Sequence, residues 1–300
     1  MINTDQNVVE NPKYIYLDWN SFACARDSHH EYHSMLLRTI SIYKEKGFYF
    51  PFSEGHIRDL FTKLEFVENE HTEKNFGAIT CISNNWCLAM RSDTENDYLL
   101  VKKYPREVFM HIKDADPKSD SLTSQFILSK EPYSSLREPY VKDFEQLMSR
   151  LANNGNIEAA ACVQKLASET LEELESRYRE AIKFIYNINN SGDFSEEYFI
   201  QNGFRFLDFT KIFKEKLTHK NLPANIMNDG THALFSRQAI YFVSEDADFR
   251  EKYRFLKKIS DLNAQIMSIK DFCSLDLNST NTIPAIALES SSIKKRGKNK

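Results

Sequence analysis

The stretch YIYLDWN (residues 14–20) decides the fold class of this chain. Residues 14–17 form an uninterrupted apolar and aromatic run, and the run stops at Asp18. A short run of this kind is typical of a strand that is covered on both faces, as in a parallel sheet. The sequence therefore predicts a buried strand with an acidic residue at its carboxyl end.

The residues that follow predict an alternation of helices and strands. Apolar positions in 31–45 recur at helical intervals, and FYFPF (48–52) predicts a second strand. Ser53 is a suitable N-cap for a second helix over 53–66. The order strand, helix, strand, helix is the beginning of a doubly wound α/β fold.

The same alternation returns near the end of the chain, and the part between reads as mainly helical. A helix is predicted at 223–236, a strand at 239–243, a helix at 249–258 and a short strand at 264–267. We therefore expect an α/β core interrupted by a long, mainly helical insertion, since a chain can leave and re-enter a domain at surface loops. The predicted parts are a core of residues 12–60 and 223–275, an insertion of residues 61–222, and a disordered basic tail of residues 276–300.

Composition excludes several classes of protein. The chain has 300 residues, of which 41% are hydrophobic, so it can form a packed core. Its 8 glycines form neither a P-loop nor a dinucleotide-binding motif. The 5 cysteines form no C-x-x-C pair, the first residues are polar, and no apolar run is long enough to span a membrane. We expect a reduced, cytoplasmic protein without a membrane partner.

Acidic residues follow both of the main predicted strands. Asp18 closes the first strand, and Asp246 and Asp248 follow the strand at 239–243. If these strands are neighbours in a parallel sheet, Asp18 and Asp246 face each other at its carboxyl edge, where α/β folds bind ligands. Carboxylates at such range repel each other unless a divalent cation lies between them. The pattern predicts one or two Mg²⁺ or Mn²⁺ ions.

Two helical acids complete this predicted ring of oxygen ligands. Asp59 follows His56 by three residues, and Asp229 precedes His232 by three, so each acid shares a helix face with a histidine. We interpret the histidines as packing or supporting residues. Each acid also has a plain structural reading, as a helix cap or a solvated side chain. Such a site activates water and neutralises the charge of a phosphodiester during hydrolysis.

Three segments of the chain resemble the motifs of PIN and PIN-like nucleases. YIYLDWNSF resembles their opening strand followed by D-x-N, and FYFPFSEGHIRDL resembles their second strand, Ser and helical acid. NDGTHALFSRQAIYFVSEDADF resembles their closing motif. The resemblance implies a three-layer α/β/α core with a short parallel sheet. It implies metal ligation by Asp18, Asp59, Asp229 and Asp246, with Asp248 as an accessory acid. The supporting residues are Asn20, Ser53, Glu54, His56, His232 and Ser244, with Glu54 standing in for Asp59 because the family usually has Glu in the second motif.

The resemblance implies a metal-dependent endonuclease that cleaves RNA more often than DNA, as a toxin or an effector of anti-phage defence. Two alternatives stay open. The first is an inactive PIN-like scaffold whose insertion binds a protein partner or inhibitor. The second, more distant, is a haloacid dehalogenase-like phosphatase, although that family needs an acid where this chain has Asn20. A zinc site at His29 and His33 lacks a third ligand and is set aside.

Overall fold

The computed structural model describes residues 8–60, 70–90, 98–115, 162, 165–166, 169–189, 191–215 and 223–275. Within them lie six strands and ten helices. The strands are β1 (Val8–Glu10), β2 (Ile15–Leu17), β3 (Trp86–Met90), β4 (Tyr98–Lys102), β5 (Tyr241–Val243) and β6 (Gln265–Met267). The helices are α1 (Trp19–Arg26), α2 (His33–Glu45), α3 (Glu54–Arg58), α4 (Glu70–Ser83), α5 (Pro105–Ala115), α6 (Leu171–Asn189), α7 (Glu196–Leu207), α8 (Pro223–Phe235), α9 (Ala247–Ile259) and α10 (Ile269–Cys273).

Strands β2, β5 and β6 form a parallel sheet in that order. Ile15 is in register with Tyr241, and Leu17 with Val243. Every residue of β2 and β5 is buried, as the continuous apolar runs predicted. The first strand and the strand near 239–243, which are more than 200 residues apart in sequence, are therefore direct neighbours.

The predicted strand at 48–52 lies on the other side of β2 and is broken into single bridges. Tyr49 bridges Tyr14, and Phe52 bridges Cys87 of β3, both in the parallel direction. Pro51 stands between them and has no N–H to donate to a ladder. These bridges link the parallel sheet to a second sheet.

The second sheet, in the order β1–β4–β3, is antiparallel. Its strands β3 and β4 come from the predicted insertion, whose other described elements are the helices α4 to α7. Strand β1 lies ahead of the predicted core. Short apolar runs such as WCLAM and YLLVK do not distinguish a strand from a buried helix turn, and β4 pairs with β1 far away in sequence.

Hydrophobic side chains cover both faces of the parallel sheet. Tyr14, Tyr16 and Phe242 belong to one buried cluster. Ile15, Leu17, Tyr241 and Val243 belong to another. This alternation follows from the period of two in a strand. The described part of the chain is thus a mixed α/β fold with helices packed on either side of a short parallel sheet.

The described helices of the predicted insertion pack against the same core. Leu174, Tyr178, Ile182 and Ile185 form the buried face of α6 and lie in the cluster that contains Tyr16. Helix α7 adds Phe199 and Phe204 to it. The division into core and insertion stays a prediction, and the predicted tail at 276–300 lies outside the described residues.

None of the described helices combines the length and the apolar composition that crossing a bilayer requires.

Candidate functional site

Asp18 lies where β2 ends and is anchored to the neighbouring strand. Its backbone N–H donates to the carbonyl of Val243 at 3.0 Å. Its carboxylate caps α1 by accepting from the backbone N–H of Ser21 at 2.7 Å, and it also accepts from the side chain of Ser244. The residue is only 7% exposed. Burial raises the pKa of Asp18 to about 6, although the hydrogen bonds from Ser244 and Ser21 oppose this.

Ser244 connects the two acids that follow the parallel strands. Its hydroxyl contacts the carboxylate of Asp18 and accepts from the backbone N–H of Asp246 at 3.2 Å. Asp246 in turn caps α9 by accepting from the N–H of Phe249 at 2.9 Å. Both strand ends therefore present a carboxylate at the same edge of the sheet, as the sequence predicted from the neighbouring strands.

Asp59 reaches the site from the end of α3. The helix that was predicted over 53–66 is described to Arg58, and Asp59 is its C-cap. The two carboxylate oxygens accept from side chains of α8: Oδ1 from Nδ2 of Asn228 at 2.5 Å, and Oδ2 from Nε2 of His232 at 2.8 Å. Asp59 is thus held against α8, and its carboxylate is committed to two donors.

A buried chain of hydrogen bonds runs from Asp59 into the core. His232 donates from Nε2 to Asp59, so as a neutral ring it accepts at Nδ1 from the hydroxyl of Tyr16 at 2.9 Å. The Tyr16 hydroxyl also lies 2.6 Å from the hydroxyl of Ser53. The two histidines were expected to be supporting residues, and His232 lies in contact with an acid of the site.

His56 continues this chain on the side of α3. Its Nδ1 accepts from the backbone N–H of Ser53 at 3.0 Å, and its Nε2 contacts the carbonyl of Leu17 at 2.7 Å. Burial and the nearby ring of His232 lower the pKa of His56 well below its usual value. A neutral His56 that donates from Nε2 to Leu17 therefore closes the capping box of α3.

Asp229 lies on α8 in a strongly negative field. Burial raises the pKa of Asp229 well above its usual value, and the carboxylates of Glu215, Asp246 and Asp59 act in the same direction. Lys252 opposes them. The four predicted acids therefore share one neighbourhood, because Asp229 senses Asp246 and Asp59, and Ser244 joins Asp246 to Asp18.

A buried ion cluster borders this neighbourhood. The ammonium group of Lys252, which is 0% exposed, pairs with Glu215 and lies 3.6 Å from Oδ1 of Asp208. The backbone N–H of Glu215 donates to the same oxygen of Asp208 at 2.8 Å. One cation thus balances two carboxylates directly and acts on Asp229 as well.

Three other predicted residues lie at the margin. Asp248 is exposed in the first turn of α9. Asn20 is exposed on α1, and it is the Ser21 backbone that donates to Asp18. Glu54 forms an ion pair with Arg58 at 2.6 Å. The structure therefore places Asp59, rather than Glu54, beside α8.

The donors of this region differ in arrangement and in chemistry in how well they suit a divalent cation. Among the described residues, no three or more Asp, Glu, His or Cys side chains are arranged around a common metal position. The chemistry of the donors nevertheless suits a hard cation, since carboxylate oxygens predominate, and nearby carboxylates add to the effect of burial in raising the pKa of Asp229. In addition, Oδ1 of Asn228 is buried and has no hydrogen-bond partner in the described structure. The residues fit Mg²⁺ or Mn²⁺ in kind.

Sequence reasoning missed three residues of this region: Tyr16, Asn228 and Lys252. Tyr16 was interpreted as part of an apolar strand, and nothing local distinguishes its hydroxyl from a core ring. Asn228 stands directly before Asp229 and was available as a polar neighbour. Lys252 is one of many lysines, and only its burial reveals it.

Comparison with known proteins does not identify a family. No protein-family model matches the chain, and neither the curated proteins nor the solved structures contain a significant match.

Proposed function

We propose that this chain is a Mg²⁺- or Mn²⁺-dependent nuclease with a PIN-like core, acting on RNA in preference to DNA. The observation that carries the proposal is the gathering of acids from β2, β5, α3 and α8 at the carboxyl edge of a parallel sheet. Two observations support it: Ser244 forms hydrogen bonds with Asp18 and Asp246, and the carboxylates of Asp246 and Asp59 influence the pKa of Asp229. Acids from four distant segments do not converge in this way for helix capping alone.

Asp18, Asp59, Asp229 and Asp246 would hold one or two divalent cations, with Asp248 accessory at the exposed side. A cation bound there supplies Lewis acidity toward the phosphodiester and lowers the pKa of water. The chain's own residues orient the carboxylates: Ser21 and Ser244 hold Asp18, while Asn228 and His232 hold Asp59. Such preorganisation reduces the reorganisation that the reaction requires.

The surroundings of the site suit a polyanionic substrate only when cations are bound. Burial and then the neighbouring carboxylates raise the pKa of Asp229, and the negative field of those carboxylates repels phosphate. Basic residues of the insertion and of the tail SSIKKRGKNK would then contact the phosphate backbone. We further propose that the protein is cytoplasmic and acts as a toxin or as an effector of anti-phage defence.

An inactive PIN-like scaffold is the second candidate, and one observation favours it. Both carboxylate oxygens of Asp59 already accept hydrogen bonds from α8, as a purely structural acid would. On that hypothesis, the site stabilises the junction of α3 and α8 and the insertion binds a protein partner or inhibitor. Such a scaffold binds Mn²⁺ no better than its variants do.

A cleavage assay tests the proposal. Labelled single-stranded RNA and DNA are incubated with the protein in Mn²⁺ or in EDTA, and Asp18→Asn and Asp246→Asn are compared with the exposed control Asp193→Asn. We expect RNA cleavage that EDTA and both site variants abolish and that the control retains. Cleavage that survives in EDTA and in Asp246→Asn contradicts the mechanism.

A further inference from the structure

The side-chain amide of Asn228 has an unusual hydrogen-bonding pattern. The residue is 8% exposed and stands directly before Asp229 on α8. Its Nδ2 donates to the carbonyl of Gly55 at 3.0 Å and to Oδ1 of Asp59 at 2.5 Å. Because carbonyl and carboxylate oxygens only accept, these two contacts fix the orientation of the amide. The nitrogen faces α3, and the oxygen occupies the other edge of the group.

That oxygen is one of three buried side-chain oxygens in the described residues that have no hydrogen-bond partner, with Oδ1 of Asn85 and Oε2 of Glu169. Oδ1 of Asn228 is buried and has no hydrogen-bond partner in the part of the chain that is described. An unsatisfied buried acceptor destabilises a protein, and folded proteins satisfy such atoms with water or an ion. The electrostatic field around Asn228 is negative. The carboxylate of Asp59 contacts this side chain, and Asp229, whose pKa the carboxylate of Asp246 helps to raise, is the next residue of α8. A bound cation would be a partner for Oδ1 and would also neutralise the excess negative charge.

We infer that Asn228 contributes Oδ1 as a further oxygen ligand to the divalent cation of the acidic site, while its Nδ2 positions Asp59. The inference rests on the proposed function and deepens it. Side-chain amide oxygens are ordinary ligands of hard divalent cations. With Asn228, consecutive residues of α8 would both supply oxygens, and the amide would link the cation to α3 through Asp59.

Calorimetric titration with Mn²⁺ tests this role without depending on activity. The wild type is compared with Asn228→Leu, which has nearly the same shape but no oxygen, and with Asn228→Asp, which keeps an oxygen and loses the donor. Asn75→Leu is the matched control: Asn75 is also buried, at 2% exposed, and its Oδ1 accepts from Arg26. Thermal melting confirms that each variant folds. If Asn228→Leu does not fold, Asn228→Ala and Asn75→Ala replace the leucine pair.

The pattern of affinities decides between the roles. We expect Asn228→Leu to weaken Mn²⁺ binding by about tenfold or more, with Asn228→Asp and Asn75→Leu within about threefold of wild type or tighter. Unchanged binding in Asn228→Leu overturns the ligand role, and the nuclease proposal then stands if the wild type still cleaves RNA with Mn²⁺. Equal losses in Asn228→Leu and Asn228→Asp also overturn it, because the donated hydrogen bond to Asp59 then explains both. A wild type that binds no Mn²⁺ overturns the inference and the proposed function together.

Discussion

The hydroxyl of Tyr16 lies 2.9 Å from Nδ1 of His232, although 216 residues separate them in sequence. Through His232 the hydroxyl is connected to the carboxylate of Asp59, and directly it contacts Ser53. Tyr16, a core residue of β2, thereby supports Asp59, an acid of the candidate site. The stability of the sheet and the position of Asp59 are consequently linked.

Removal of that hydroxyl tests the link. We expect Tyr16→Phe to destabilise the fold by about 1–3 kcal/mol, because Nδ1 of His232 loses its buried partner. The matched control is Tyr14→Phe at the position before β2, because its hydroxyl donates to the carbonyl of Phe235 instead of to a histidine. Urea unfolding measures both, and RNA cleavage should fall in Tyr16→Phe while the control retains it. Equal behaviour of the two variants would show that the network does not support the site.

Asp18 predicts a pH dependence of stability. Burial raises the pKa of this carboxyl to about 6, above its value in an unfolded chain. The folded protein therefore holds the proton more tightly, so stability is present at low pH and is lost as pH rises through about 6. Asp18→Asn removes the charge and keeps a good N-cap. In EDTA we expect it to stabilise the protein at neutral pH by roughly 1–3 kcal/mol.

Thermal melting between about pH 4 and about pH 8 measures this effect. The exposed variant Asp193→Asn should follow the wild type at every pH. Added Mn²⁺ should stabilise the wild type and not Asp18→Asn, since a ligand stabilises only the form that binds it. Parallel pH profiles for wild type and Asp18→Asn would refute the assignment of the shift to this carboxyl.

Helices α7 and α8 pack closely beside Asp229 because Gly230 has no side chain. A Cβ at this position would overlap the carbonyl oxygen of Gln201 and lie 2.9 Å from Cγ of Arg205. We expect Gly230→Ala to push α8 away from α7, with a loss of about 1–3 kcal/mol and weaker Mn²⁺ binding. Gly77→Ala is the control, because its Cβ meets nothing within 4 Å and alanine favours a helix. Unfolding curves that are alike for the two variants would contradict the tight approach.

We expect the buried charge of Lys252 to have a large effect on the free energy of unfolding. Lys252→Met leaves Glu215 and Asp208 without their shared cation, which typically costs about 3–5 kcal/mol. On the same helix, the exposed pair of Lys258 with Glu175 should contribute at most about 1 kcal/mol, so Lys258→Met is the control. Chemical denaturation compares them. An effect of Lys252→Met as small as that of Lys258→Met would contradict the predicted role of the buried charge.

Several elements of the fold were predictable because their signals are local. The apolar run before Asp18 identified β2, and a similar run identified β5. Helices α2, α8 and α9 follow from the period of their apolar residues. Strands β3 and β4 were not predictable because their short apolar runs do not distinguish a strand from a helix turn, and β1 was not predictable because its partner β4 is far away in sequence.

The candidate site divides in the same way. That acids follow the strands of an α/β core is a property of the sequence alone, because strand ends and helix caps are specified by neighbouring residues. Only the tertiary structure decided that Asp59 is bound by Asn228 and His232, and that Oδ1 of Asn228 has no partner among the described residues. Hydrogen bonds depend on distance and direction between side chains, and spacing along a chain specifies neither when more than 150 residues lie between them.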